Sequence, residues 1–177
     1  GTVFIPDADN ASIQVYDAWL SLQYTITGVG SVEAMAVSGN RLYVLLDGGG
    51  GVSVYDVHTW QNAGAFYFLP AAFSAIPMSL HATEEKLYVG GYSGNSGQLA
   101  IIDVTTGAAS VHTLTYPPGS LRTHGGHLFA MTGVFTAGTS LNRDGAYGVV
   151  EIRDRKTGEL YHSFLSDYDT RAFTIDS

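Results

Sequence analysis

The chain has 177 residues, 45% of them hydrophobic and 14% charged, which predicts one domain with a sizeable core and excludes disorder. Eight Lys and Arg against sixteen Asp and Glu leave a formal charge of −8; nucleic acids and anionic lipid surfaces need a basic footprint, so neither is an expected partner. Cysteine is absent, which removes disulfide frameworks and thiolate chemistry.

From the N-terminus, "VFIPDADNASIQVYD", beginning at Val3, reads as a strand, a polar turn and a second strand closing on Asp17. Runs of Val, Ile, Tyr and Phe broken by Gly, Asn and Asp are the signature of hairpins. "LQYTIT" (22–27) and "EAMAVSGN" (33–40) are the next strands. A second hairpin, "LYVLLDGGGGVSVYD", starts at Leu42 and closes on Asp56, followed by "AGAFYF" (63–68) and "MSLHATEE" (78–85). A third, "LYVGGYSGNSGQLAIID", starts at Leu87 and closes on Asp103, followed by "SVHTLTY" (110–116) and "SLRTHGGH" (120–127). A fourth, "LFAMTGVFTAGTSLNRDGAYGVVEIRD", starts at Leu128 and closes on Asp154, followed by "LYHSFL" (160–165). Its loop, 136–148, is an insertion relative to the sister turns and is expected to contact a partner or an ion.

The hairpins start at Val3, Leu42, Leu87 and Leu128, intervals of 39, 45 and 41 residues. That period belongs to four-stranded propeller blades. Three hairpins have a strand before them and the first has none. The chain ends on "RAFTIDS" (171–177), a strand pattern without a hairpin. Joined to the N-terminus it completes the unit, so the expected fold is all-β: four four-stranded blades, closed by the C-terminal strand pairing with the N-terminal blade. Such pairing also avoids an exposed edge. The expected blades are 171–177 with 1–31, then 32–75, 76–119 and 120–170. Beginning at Gly1, the chain is expected to be processed or a piece of a longer protein.

"LYV…GGGGVSVYDVHTW" and "LYVGG…GQLAIIDVTTGAA" resemble the YVTN and LVIVP type β-propeller repeats, relatives of the quinoprotein-like and WD40-like propellers. The resemblance covers essentially the whole chain and rests on strand and turn formers. It implies a propeller; the family spans surface and scaffold proteins, lactonases, and electron-transfer and cofactor-bearing enzymes. Most members have more blades than this chain supplies. A small closed ring, a ring shared by two chains, and a portion of a larger ring all fit.

The strand before each hairpin should line the central channel. One aligned column holds Thr174, Ala36, His81 and Arg122; three residues earlier stand Arg171, Glu33, Met78 and Gly119; two residues later stand Asp176, Ser38, Thr83 and His124. His81, Arg122, Arg171 and Glu33 are thus the candidate ligand-binding residues, suited to an anionic or carbohydrate ligand with arginine as a bidentate fork. The plainer alternative is a wet channel whose polar side chains bond to backbone and water.

His81, His124 and His127 are the histidines nearest the expected axis, and imidazole suits transition metals. On one straight strand, His124 and His127 would face opposite ways, so sharing an ion requires Gly125 and Gly126 to turn the chain. His58, His112 and His162 are expected at the solvent. "SLNRDGAYGVVE" (140–151) places Asn142, Asp144 and Glu151 at calcium-loop positions three, five and twelve, making them the candidate Ca2+ ligands. Ser140 stands where Asp is wanted, and a plain hairpin loop fits as well. No GxSxG nucleophile elbow and no phosphate loop is present. Trp19 and Trp60 follow the closing Asp of two repeats, either as sugar-stacking platforms or as plugs between blades.

Two function classes follow. One is a non-catalytic binding or assembly module that recognises a protein or carbohydrate through the channel mouth and loops, with self-association open to it. The other is an enzyme or half of one, a metal- or cofactor-dependent oxidoreductase or lactonase-like hydrolase with its site on the axis. The chain has only two lysines, Lys86 and Lys156, and no Cys; the expected setting is extracellular, cell-surface or periplasmic.

Overall fold

The computed structural model describes residues 1–132 and 148–166. The expected closing strand, 171–177, with Arg171, Thr174 and Asp176, lies outside the described residues, as do loop residues 136–147 with Asn142 and Asp144.

The described residues are all-β apart from one 3₁₀ turn at Asp47–Gly49. β1 (Val3–Asp7), β2 (Ser12–Tyr16) and β3 (Leu22–Thr27) form a three-stranded sheet in sequence order. β4 (Val32–Ser38), β5 (Arg41–Leu46), β6 (Gly51–Asp56) and β7 (Asn62–Tyr67) form the second sheet, with four strands. β8 (Ile76–Ala82), β9 (Lys86–Ser93), β10 (Ser96–Asp103) and β11 (Ala109–Leu114) form the third. β12 (Pro118–His124), β13 (His127–Thr132), β14 (Gly148–Asp154) and β15 (Leu160–Ser166) form the fourth. Every pairing is antiparallel and between sequence neighbours, the meander of propeller blades.

The chain divides into two compact units, Gly1–Phe68 and Leu69–Ser177. In the first, Ile13, Val15, Ile26, Val29, Leu42, Val44 and Tyr55 form one core. In the second, Tyr88, Leu99, Ile101, Leu114, Leu121, Leu128 and Ala130 form another.

Burial follows the order of strands within a sheet. In the four-stranded sheets the second and third strands are covered on both faces: Leu42, Tyr43, Val44 and Leu45 are each at most 1% exposed. This is why "LYVLL" and "LAII" are continuous apolar runs rather than period-two alternations. The last strand of each sheet is far more exposed, and Tyr24, Phe66 and Tyr161 stand at the solvent there.

The Asp that closes each third strand organises the following turn. Asp56 Oδ1 accepts from the backbone N–H of His58 at 2.9 Å and of Thr59 at 2.8 Å. Asp103 does the same for Thr105 and Thr106, Asp154 for Lys156 and Thr157, and Asp17 for Trp19 and Ser21. The repeated Asp is therefore a turn device, its acceptor saturating donors that neither strand can reach. Its backbone carbonyl then takes the N–H of a residue in the left-handed region: Gly107 (φ 72°) and Gly158 (φ 76°) in the second unit. Leu20 (φ 61°) and Trp60 (φ 57°) occupy that position in the first unit. Trp19, two residues after Asp17, matches His58, two after Asp56, rather than Trp60.

Glycine is also required where sheets approach. A Cβ on Gly90 of β9 would collide with Pro118 and Ser79 Oγ. Without it, Ser79 Oγ of β8 donates to the Pro118 carbonyl of β12 at 2.8 Å, joining the first strands of the third and fourth sheets.

Candidate functional site

In the second unit, β8 and β12 carry His81 and Arg122. His81 is partly buried, its Nε2 is 2.9 Å from Thr123 Oγ1, and its ring lies over Tyr88 at 5.9 Å between centroids and 26° between planes. The Tyr88 hydroxyl donates to the Arg155 carbonyl at 2.9 Å, which fixes the platform. Burial, reinforced by the Arg122 charge, pulls the His81 pKa down to about 4. The imidazole is therefore neutral at neutral pH.

Arg122 is exposed, and its Nη1 donates to the carbonyl of Leu121 at 2.9 Å. A guanidinium has five N–H donors in a planar fork. Together, β8 and β12 present one cation beside a neutral ring and a hydroxyl, a set suited to holding an anionic or polar group.

Of the other sequence candidates, Glu33 belongs to the first unit, exposed on β4. Partial burial and the Asp47 charge raise its pKa above the ordinary value. Arg171 lies outside the described residues, so the second unit places His81 and Arg122 on neighbouring strands without it.

Gly125 (φ 56°) and Gly126 do turn the chain, and His124 and His127 are directly opposed across the β12–β13 hairpin. The His127 ring meets Tyr161 edge-on at 5.1 Å. Among the described residues, no group of three or more His, Asp or Glu side chains converges as metal ligands do. His112, expected at the solvent, is half-buried: its ring covers Gly158, and its Nε2 is 2.9 Å from Ser110 Oγ. Gly158 has no side chain to hold the ring off.

Glu151, the expected twelfth-position calcium ligand, is fully buried with both carboxylate oxygens engaged. Oε2 accepts from Arg153 Nε at 2.8 Å and Nη2 at 2.6 Å, and Oε1 accepts from the Thr115 N–H at 2.7 Å. Arg153 also donates to the carbonyls of Thr113 and Gly158, both at 2.8 Å. Sequence reasoning missed this pair; two residues of opposite charge at i and i+2 within the strand run "VVEIRD" are its visible signal.

The two tryptophans differ. Trp19 is 89% exposed. Trp60 packs against the core of the first unit and stacks on Tyr24 at 5.1 Å and 27°.

No protein-family model and no curated protein matches the chain. It is similar in structure to the hydrazine synthase of Kuenenia stuttgartiensis, at 20% identity and a TM-score of 0.70, over 94% of this chain and 46% of that one. It is also similar to the Dos1 propeller, at 17% identity and a TM-score of 0.66, over 95% of this chain and 45% of that one. Sqt1 of Saccharomyces cerevisiae is similar at 12% identity and a TM-score of 0.66, over 98% of this chain and 50% of that one. The chain is built as β-propeller blades, and it spans about half the length of the solved propellers it resembles.

Proposed function

We propose that this chain supplies the blades of a propeller-based binding module, and that an acidic group of a protein partner docks on Arg122. The observation that carries this reading is the state of His81. A general base works best with a pKa near the working pH, whereas His81 is packed on Tyr88, tied to Thr123 and titrates near 4. It thus acts as a neutral wall beside the exposed Arg122 fork, an arrangement for recognition rather than proton transfer. The chain's span of about half the solved propellers supports a further element of the reading: these blades work within a larger ring. The repeat resemblance to YVTN and LVIVP type propellers, with their surface and scaffold members, favours an extracytoplasmic setting.

The test is a selection of displayed random peptides on the purified chain, repeated on Arg122→Ala. Enrichment of Asp- or Glu-bearing peptides that bind the parent at least about fivefold more tightly than the variant, roughly 1 kcal/mol, is expected. Peptides binding both proteins equally would overturn the Arg122 assignment. A metal-dependent oxidation or hydrolysis abolished by His81→Ala would replace the module with an enzyme.

A further inference from the structure

We propose that a cleft in the first unit, lined by Tyr24, Thr27, Tyr55, Trp60, Gln61 and Asn62, binds a neutral sugar ring. All of its lining residues belong to the first unit, and Arg122 is not among them. The cleft holds about 250 Å3, below the roughly 300–1,000 Å3 of sites for drug-sized ligands, so it fits a single ring.

The lining chemistry selects the class. Aromatic rings, primary amides and hydroxyls surround the space, and none of the lining side chains carries a formal charge. In a chain of net charge −8, an uncharged cleft fits a neutral ligand. Amides and hydroxyls both donate and accept, matching a polyhydroxylated ring, and aromatic faces pack against its C–H faces. The polar groups are held in place beforehand: Gln61 Nε2 donates to the Tyr24 hydroxyl at 3.3 Å, and Asn62 Oδ1 accepts from the Gly64 N–H at 2.7 Å. Tyr24 is stacked on Trp60 and yet 39% exposed.

Two further observations centre on Trp60. Its φ of 57° is the left-handed conformation that Gly107 and Gly158 hold in the sister turns, and a bulky residue is disfavoured there. Its enclosed Nε1–H has no hydrogen-bond partner, a costly state for a buried donor. A bulky residue kept in a disfavoured backbone state while lining a polar cleft fits a wall of that cleft better than a plug.

The experiment uses Trp19→Phe, a change at an exposed position that leaves Trp60 as the sole tryptophan of the chain. Glucose, galactose, mannose and N-acetylglucosamine are titrated against its fluorescence, and the same protein is applied to an array of neutral glycans. A saturable change with a dissociation constant of about 1–10 mM for a free ring, or retention on a glycan, weakened at least tenfold by Gln61→Ala and by Tyr24→Leu, is the expected result. Competition by the free sugar assigns the cleft to a lone ring; array binding without competition assigns it to a residue of a longer glycan. Gln61 is exposed, so its replacement tests recognition with the core intact, as circular dichroism would verify. No response to any sugar on either platform, or binding unchanged by both substitutions, overturns the proposal.

Discussion

Glu151 and Arg153 stand two residues apart on one face of β14, and their charges meet at 2.6 Å where neither side chain is more than 8% exposed. The pair joins two sheets of the second unit, because two of its remaining three bonds reach the backbone of Thr113 and Thr115. A buried ion pair is expensive to desolvate, and breaking it by removing one partner costs more than the pair contributes. Arg153→Met should therefore lower stability by about 3–5 kcal/mol, read as a fall in the urea midpoint. The double variant Glu151→Leu/Arg153→Met should lose less than the sum of the two single changes. Strict additivity would show that the charges do not interact.

The closing aspartates predict a pH dependence. Backbone N–H groups, that of Thr59 first, hold the Asp56 carboxyl below its ordinary 3.8, and those of Thr157 and Lys156 do the same for Asp154. Asp103 is lowered most by Lys86, with the Thr106 N–H next. The unfolded chain protonates first as pH falls, so this stabilisation is complete above the ordinary carboxylate range and drains away as pH drops through about 4 toward the folded values. Thermal melts should fall steeply below about pH 4 on this account, beyond the decline that His81 imposes between about 6.5 and 4. Asp56→Asn retains an acceptor without a charge and should reduce that slope; an unchanged slope would remove Asp56 as a contributor.

The same turns show what was legible in the sequence. "DVHT", "DVTT" and "DRKT" recur because one carboxylate must serve two consecutive N–H groups, so Asp56, Asp103 and Asp154 mark strand ends by a local rule. Hairpins, repeat period and blade order follow from such local rules. The Glu151–Arg153 pair does not: Thr113, bonded by Arg153, is 40 residues away from it, and Thr115, bonded by Glu151, is 36 away, and a glutamate at calcium-loop spacing looks alike whether buried or exposed. His81 and Arg122 were legible as a column because first strands align by repeat. The neutrality of His81 was not, since it arises from Tyr88 beneath the ring and from burial. Trp60 reads as a post-strand aromatic, but its left-handed backbone shows only beside Gly107 and Gly158.

His81 makes a sharper test of the Arg122 site. Its folded pKa of about 4 lies below the ordinary 6.5, so the unfolded chain gains the proton first on acidification. The stabilisation from keeping the ring neutral is full above about 6.5 and is lost as pH falls through about 4. In an NMR titration the His81 ring resonances should shift near pH 4, and Arg122→Ala should move that midpoint upward by removing one of its two causes. A midpoint between about 6 and 7 in the parent chain would show a solvated imidazole available as a base.

Gly107 and Gly158 separate backbone strain from steric clash. Both occupy the left-handed position of equivalent turns, at φ 72° and 76°. A Cβ on Gly107 would meet nothing within 4 Å, whereas one on Gly158 would lie 2.5 Å from the ring of His112. Gly107→Ala should therefore carry only the left-handed penalty of about 1–2 kcal/mol. Gly158→Ala should carry that penalty and the displacement of a ring seated against Ser110, for a distinctly larger loss. Removing the ring isolates the second part: in a His112→Ala background, Gly158→Ala should cost about the same as Gly107→Ala does in the parent. Urea midpoints of the parent, the three single variants and the double variant settle it, because an equal cost for Gly158→Ala with and without His112 would mean that the ring yields freely and the clash contributes nothing.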